Sequence, residues 1–187
     1  MALVGRSNVG KSSLINALVR RDVARTSAAP GKTRLANFYR VRRGSSPEFY
    51  LVDLPGYGYA RGGDASAQEF NELTRAFFAR GDTAPPVTVR AKGGGTPKAL
   101  GVLLLVDARH PGLDTDTEAW EWTASLGCPR AIVGTKVDKL TRAERDRHAR
   151  AFHSAFDVPV PLLSAHSGEG LDQLWKTIAS LLNRPAA

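Results

Sequence analysis

The sequence predicts an α/β fold: a mostly parallel six-stranded sheet with one antiparallel edge strand and helices on both faces. Three observations carry that reading. Apolar runs alternate along the chain with amphipathic stretches of helical length. Two of the runs, ALGVLLLV (99–106) and RAIVG (130–134), are almost uninterrupted, the pattern of strands buried on both faces. A glycine-rich turn, GRSNVGKS (5–12), follows the first run and opens into a helix, as a strand–loop–helix unit requires.

Taken in order, ALV (2–4) is the first strand. Only four residues precede Gly5, so this strand is expected either to be unusually short or to begin upstream of the given chain. KSSLINALVRR (11–21) is the first helix. LANFYRVRR (35–43) and EFYLVD (48–53) flank GSSP and read as a hairpin, the one antiparallel pair. SAQEFNELTRAFFAR (66–80) has apolar residues at helical spacing. DTAPPVTVRAKGGGTPK (82–98) is rich in Pro and Gly and is expected to be a flexible surface insertion. DTEAWEWTASL (116–126), TRAERDRHARAFHSAF (141–156) and GLDQLWKTIASLL (170–182) are amphipathic helices, with Trp120, Trp122 and Trp175 as packing residues. VPVPLLS (158–164) is the sixth strand. There is no internal repeat, and residues 1–187 read as one domain.

Charge is uneven. Of the net +8, the whole excess lies in residues 1–50, where ten Lys/Arg face only Asp22 and Glu48. Arg20, Arg21, Arg25, Lys32, Arg34, Arg40, Arg42 and Arg43 either attract a polyphosphate partner or form a solvated face, with Arg20 and Arg21 offsetting a helix dipole. Composition leaves the two readings level. The lone Cys128 forms no internal disulfide, which fits a reducing compartment. No run reaches the roughly 18 apolar residues of a membrane-spanning helix, no signal peptide is visible, and no membrane partner is expected. His110, His148, His153 and His166 lack the paired spacing of a metal site.

The chemistry begins at residues 5–12, a full G-x-x-x-x-G-K-[ST] match. Gly5 and Gly10 permit backbone angles at which the N–H groups of Arg6, Ser7, Asn8, Val9 and Ser13 converge on one anion, at the positive end of a helix. Lys11 brings a mobile charge to the outer phosphates, and the Ser12 hydroxyl suits Mg²⁺. A nucleoside triphosphate is the ligand this predicts. DLPGYGYA (53–60) then supplies the switch. Asp53 reaches Mg²⁺ through water and the Gly56 N–H bonds the γ-phosphate, with Leu54 and Pro55 between them. Gly58, Gly62 and Gly63 add freedom to move. In TSAAPGKTR (26–34), Thr33 is the candidate second Mg²⁺ ligand, with Thr26 a rival; Gly31, Lys32, Arg34 and Leu35 flank it. Lys11, Thr33 and Gly56 are the transition-state and switch contacts, and no general base is assigned. The base is read by GTKVD (134–138) and LLSA (162–165). An Asp138 carboxylate accepts from both N1–H and N2–H₂ of guanine, and adenine has no such donor pair. Thr135, Lys136 and Val137 form the rest of that loop, the Lys136 stem lying on the base. Leu163, Ser164 and Ala165 bring a backbone N–H to O6. GTP and GDP are therefore the expected ligands.

The series GRSNVGKS, PGKT, DLPGYG, TKVD, LSA resembles the translation-associated P-loop GTPases of the TrmE-Era-EngA-EngB group, and most of all the EngB/YihA-type ribosome-biogenesis GTP-binding proteins. DLPGYGYA, DARHP (107–111) and Thr135, where Ras-like proteins usually have Asn, carry the resemblance over nearly the whole chain. It implies the P-loop GTPase fold and a monomer in the bacterial cytoplasm or an organellar stroma or matrix. It also implies a role in assembly of the large ribosomal subunit, with rRNA or ribosomal proteins as partners and a link to septation. Tyr57 stands where a Ras-like switch has its water-orienting glutamine, so intrinsic hydrolysis is expected to be slow and raised by a partner. Asn8 occupies the position at which similar GTPases hold K⁺; local loop hydrogen bonding explains it equally well. Two alternatives are a module that binds GTP with negligible hydrolysis and a P-loop metabolite kinase. The kinase would leave TKVD and LSA idle.

Overall fold

The computed structural model describes residues 1–24, 36–44, 48–57, 74, 77–78 and 101–183. The expected 82–98 insertion, residues 25–35 with Thr26 and Thr33, and Gly58, Gly62 and Gly63 lie outside the described residues.

The elements are β1 (Ala2–Gly5), α1 (Lys11–Val19), β2 (Asn37–Val41), β3 (Phe49–Asp53), β4 (Val102–Asp107), α2 (Asp114–Ala124), β5 (Arg130–Thr135), α3 (Arg142–Phe156) and α4 (Leu171–Asn183), with a 3-10 turn at Val137–Lys139. The sheet order is β2-β3-β1-β4-β5. β2 and β3 pair antiparallel with Asn37 opposite Asp53, and β1 lies between β3 and β4, parallel to both. The hairpin and the parallel order agree with the sequence pattern. β1 spans four residues, all buried.

The predicted sixth strand is corrected: the described sheet has five. Residues 158–164 contribute one parallel bridge, Leu162 to Gly134, in which Gly134 N–H donates to Pro161 O at 2.9 Å and Leu163 N–H to Gly134 O at 2.7 Å. Pro159 and Pro161 have no N–H to give, so a ladder cannot extend through them.

Side chains alternate across the strands and sort into two apolar layers. Leu3, Leu51, Leu103, Leu105 and Val133 share a cluster with Leu14, Ile15 and Leu18 of α1 and Leu174, Ile178 and Leu181 of α4. Ala2, Val4, Val52, Val102, Leu104, Val106 and Ile132 share the other with Phe77 and with Phe152 and Phe156 of α3. Burial of each such side chain stabilises by about 1.5–3 kcal/mol, so the two layers fix the strand ends that carry the loops. At the start of α3, Thr141 and Glu144 form a reciprocal capping box, which satisfies two otherwise orphaned backbone N–H groups. Among the described residues no helix is long and apolar enough to cross a membrane.

Candidate functional site

The sheet order changes direction at β1: the chain leaves β1 for β2 and β3 on one side and returns to β4 on the other. Ligands of open α/β sheets bind at the carboxyl ends of strands beside such a point. Residues 5–12 occupy it. Gly10 has φ 112° and Asn8 φ 62°, the left-handed conformation that turns the loop before α1. A Cβ on Gly5 would lie 2.7 Å from Leu105 O and 2.9 Å from a Val9 methyl, so only glycine fits between β4 and the loop.

Lys11 is 7% exposed, and its ammonium donates to Gly5 O at 2.9 Å and Arg6 O at 3.1 Å. Burial lowers its pKa to about 8, against the opposing pull of Asp53. A desolvated cation at a helix N-terminus, ringed by backbone amides, is an electrostatic demand for an anion.

Asp53, at the end of β3, is 2% exposed. Burial pushes its carboxyl pKa up, while Lys11 and the Ser12 hydroxyl hold it down. Ser12 Oγ donates to its Oδ2 at 3.2 Å, and its buried Oδ1 has no hydrogen-bond partner among the described residues. A hydroxyl and an orphaned carboxylate oxygen side by side form a hard-oxygen donor set that fits Mg²⁺, directly or through water. Thr33, the other candidate ligand, is outside the described residues with Gly31, Lys32, Arg34 and Leu35.

Gly56 packs on the loop. A Cβ there would sit 2.5 Å from Ser7 N and 2.7 Å from Ser7 Cα, both backbone, so this contact also requires glycine. Ser7 N–H donates to Tyr57 O at 3.1 Å, and Arg6 and Tyr57 form a parallel bridge. The start of the presumptive switch is thus an extra rung beside the phosphate loop.

The base-side motifs converge as well. Gly10, Ser13, Lys136, Asp138, Ala165 and His166 line a cleft of about 220 Å³. Asp138 Oδ1 accepts from Ser164 Oγ at 2.6 Å, which holds its carboxyl below the usual range and fixes its orientation. Ser164 is itself fully buried, accepting from the N–H groups of His166 and Ser167 at 3.1 and 3.0 Å. Lys136, at φ 64°, donates to Asn8 O at 2.6 Å and to Asp107 Oδ2 at 2.9 Å. Thr135, which also lines the cleft, donates its Oγ1 to Val9 O at 2.6 Å and lies 3.1 Å from Val106 O, which makes it a fastener of the 5–12 loop. Leu54, Val137 and Leu163 are at most 1% exposed, so they offer the site only backbone; Pro55 is half-buried.

Two positioning residues were not singled out by sequence reasoning. Asp107 holds Lys136 and is in turn gripped by Arg109, whose Nε and Nη2 donate to it at 2.9 and 2.7 Å. These bonds, with Lys136, draw the Asp107 carboxyl far below its ordinary value despite burial. The available signal was an acid closing the apolar run of β4, quoted within DARHP only as a likeness.

A family model described as "50S ribosome-binding GTPase" matches residues 1–136. A probable GTP-binding protein EngB of Oceanobacillus iheyensis is 36% identical over 98% of this chain and 87% of its own length. One from Thermotoga maritima is 38% identical over 97% and 86%. The crystal structure of a probable GTP-binding protein engB superposes with a TM-score of 0.65 at 18% identity, covering 97% of each chain. Era in complex with MgGDPNP and nucleotides of 16S ribosomal RNA superposes with a TM-score of 0.77 at 24% identity, covering 100% of this chain and 57% of that one. At these identities the structural likenesses speak for the P-loop GTPase fold alone.

The lowered Lys11 pKa gives a pH test with opposite signs. From pH about 8 to the ordinary lysine value of 10.5 the unfolded chain binds the Lys11 proton and the folded chain has released it, so stability rises with pH in that window. Phosphate favours the charged form, so guanine-nucleotide affinity should fall above pH about 8, by up to roughly tenfold per pH unit. Nucleotide and denaturant titrations from pH about 7 to 10 measure both; an affinity that stays level across the range removes Lys11 as the phosphate ligand.

Proposed function

The chain belongs to the EngB family of GTP-binding proteins and is a GTPase, and from that premise we propose that it is a GTP-operated switch serving assembly of the large ribosomal subunit. The observation that carries the reading is the convergence, at the carboxyl ends of β1, β3 and β5, of buried Lys11, the Ser12–Asp53 pair and the Asp138 cleft. Residues 5–13 and Lys11 hold the phosphates, Asp138 with the 163–165 backbone selects guanine, and Gly56 senses the γ-phosphate. Ser12, Asp53 and Thr33 hold Mg²⁺, which, when bound, offsets charge on the outer phosphates. This donor set, with the orphaned Oδ1 of Asp53, is the support for the metal.

Removing the Asp138 charge by Asp138→Asn should weaken GDP binding by roughly 10- to 100-fold, since a charged acceptor is lost from two donors, and leave ADP binding unchanged. Competition titrations with the two nucleotides measure it. Equal loss for both would transfer base selection elsewhere.

The partner reading rests on the family's description and on charge. Arg20, Arg21, Arg40, Arg42 and Arg43 are all exposed, and among the described residues Glu48 pairs with Arg40 and Asp172 with Arg43. Those two exposed pairs contribute little. Ribosomal RNA phosphates are the chemistry such a surface suits. In sedimentation with isolated large subunits, the protein should pellet with a GTP analogue, stay largely in the supernatant with GDP, and be released steeply by salt. Pelleting that ignores nucleotide would remove the switch.

Hydrolysis is slow in isolation, because Tyr57 offers no amide to orient water. Asn8, exposed at the loop apex, contributes a neutral amide oxygen of the kind that replaces water around K⁺. Replacing Na⁺ with K⁺ should raise the hydrolysis rate. An unchanged rate with and without ribosomes would rule potassium out. The cytoplasm, or an organellar matrix, is the compartment that suits these partners and the single cysteine.

A further inference from the structure

Tyr57 is held at both ends. Its carbonyl takes the Ser7 N–H of the phosphate loop, and its hydroxyl donates to Asp116 Oδ1 at 2.8 Å. Asp116 lies in the first turn of α2, yet it is only 1% exposed, an unusual place for a carboxylate. Burial pushes the Tyr57 hydroxyl far above its ordinary value, so the hydroxyl remains the donor.

The bonding around Asp116 is incomplete. Its Oδ2 is buried without a hydrogen-bond partner among the described residues, and so is Nε of Arg6, in the phosphate loop. Burial raises the Asp116 carboxyl above its usual range, against the Tyr57 hydrogen bond and the Arg6 charge, which pull it down. Each orphan is a buried polar group whose pairing would stabilise the fold. Asp116 thus joins α2 to the Gly56–Tyr57 segment through one carboxylate oxygen, with the Arg6 charge acting on the same carboxyl.

Downstream of Asp116 the helix carries its own reporters. Trp122 makes an edge-on contact with Phe78, ring centroids 5.9 Å apart, and Trp120 lies under the Arg130 guanidinium at 3.8 Å. Trp120 and Trp122 lie four and six residues after Asp116 on the same helix, Asp114–Ala124.

We propose that Asp116 is a positioning residue which, by holding the Tyr57 hydroxyl, ties the nucleotide-sensing Gly56–Tyr57 segment to helix α2 and carries the nucleotide state to that face of the molecule. The proposal rests on the switch reading above. Gly56 cannot follow a γ-phosphate without moving Tyr57, and Tyr57 cannot move without releasing or dragging Asp116. The α2 face is thereby a second surface whose form depends on the nucleotide.

The test compares GDP with a non-hydrolysable GTP analogue in a Trp175→Phe background, so that emission comes from Trp120 and Trp122. Amide hydrogen exchange of residues 114–124 in the otherwise unaltered chain is followed in parallel. In the parent chain, with the latch intact, exchange should differ between the two nucleotides by at least about five-fold, the lower end of ordinary coupling between sites. Tyr57→Phe, which removes one oxygen, and Asp116→Ala should abolish both differences. Asp116→Asn keeps an acceptor for the hydroxyl and should restore most of them, which a purely structural role for the charge would not predict. Binding of each nucleotide is titrated alongside, so failure of the switch reading shows separately as equal affinity and no response to either nucleotide. Full nucleotide-dependent differences in Tyr57→Phe, or none in the parent despite binding, would overturn the latch. Loss of GDP binding by Tyr57→Phe would also overturn it, because the hydroxyl would then be supporting the nucleotide loop directly.

Discussion

A lysine ammonium buried at the end of a parallel sheet is an unfavourable thing to build, and the architecture around residues 5–12 exists to make it tolerable. Lys11 gives up most of its hydration and receives two loop carbonyls and a nearby carboxylate in exchange. Those partners come from two places: the Gly5–Arg6 turn and the end of β3. Each requires the β1–β3 and β1–β4 pairing to be in register, because a one-residue slip would turn Asp53 to the opposite face. The demand for an anion and the demand for a correctly paired sheet are therefore one demand.

Much of this was legible in the sequence, and the reasons are specific. Residues 5–12 could be read because glycine at 5 and 10 answers to contacts no other residue survives, Leu105 O at 2.7 Å for the first and φ 112° for the second. β4 and β5 could be read because both their faces are covered, which leaves no polar alternation to confuse the period. The 158–164 segment misled because its apolar content suits a strand while its two prolines forbid the ladder; hydrophobicity and hydrogen-bonding capacity are separate requirements. Thr135 was legible as part of a loop but not as a clamp on Val9, since that contact joins residues 126 apart and no local pattern encodes it. Asp107 and Asp116 escaped for the same reason: Lys136 and Tyr57 reach them only once β4, α2 and the loops are packed.

The base side of the site is bound to the phosphate loop by redundant bonds. Thr135 holds Val9 O, Lys136 holds Asn8 O, Asp107 holds Lys136, and Arg109 holds Asp107. Asp138 is fixed by Ser164, which is fixed by two backbone N–H groups. A rigid, pre-oriented acceptor loses little on binding, so specificity for one base costs little ordering entropy. The same bonds tie the cleft to the 5–12 loop at Val9 O and Asn8 O, so under the proposed reading base and phosphates are held on connected elements.

The Asp53–Tyr57 side is held differently, and the contrast says where movement is possible. Beyond Leu54, anchored in the core, the bonds described for Gly56 and Tyr57 include one backbone hydrogen bond to the loop at 3.1 Å, a 3.5 Å contact from Ser7 Oγ to Gly56 O, and the Tyr57 hydroxyl on Asp116 of α2. A single net hydrogen bond contributes about 0.5–1.5 kcal/mol, somewhat more when one partner is charged. A γ-phosphate accepting from Gly56 is of the same order, so the competition between the two arrangements is close to balanced. That balance is what a switch needs: were the segment fastened like the base side, the energy of one phosphate contact could not move it, and were it unfastened, its position would report nothing. Recognition and signalling thus fall on opposite sides of β1, separated by how many bonds secure each.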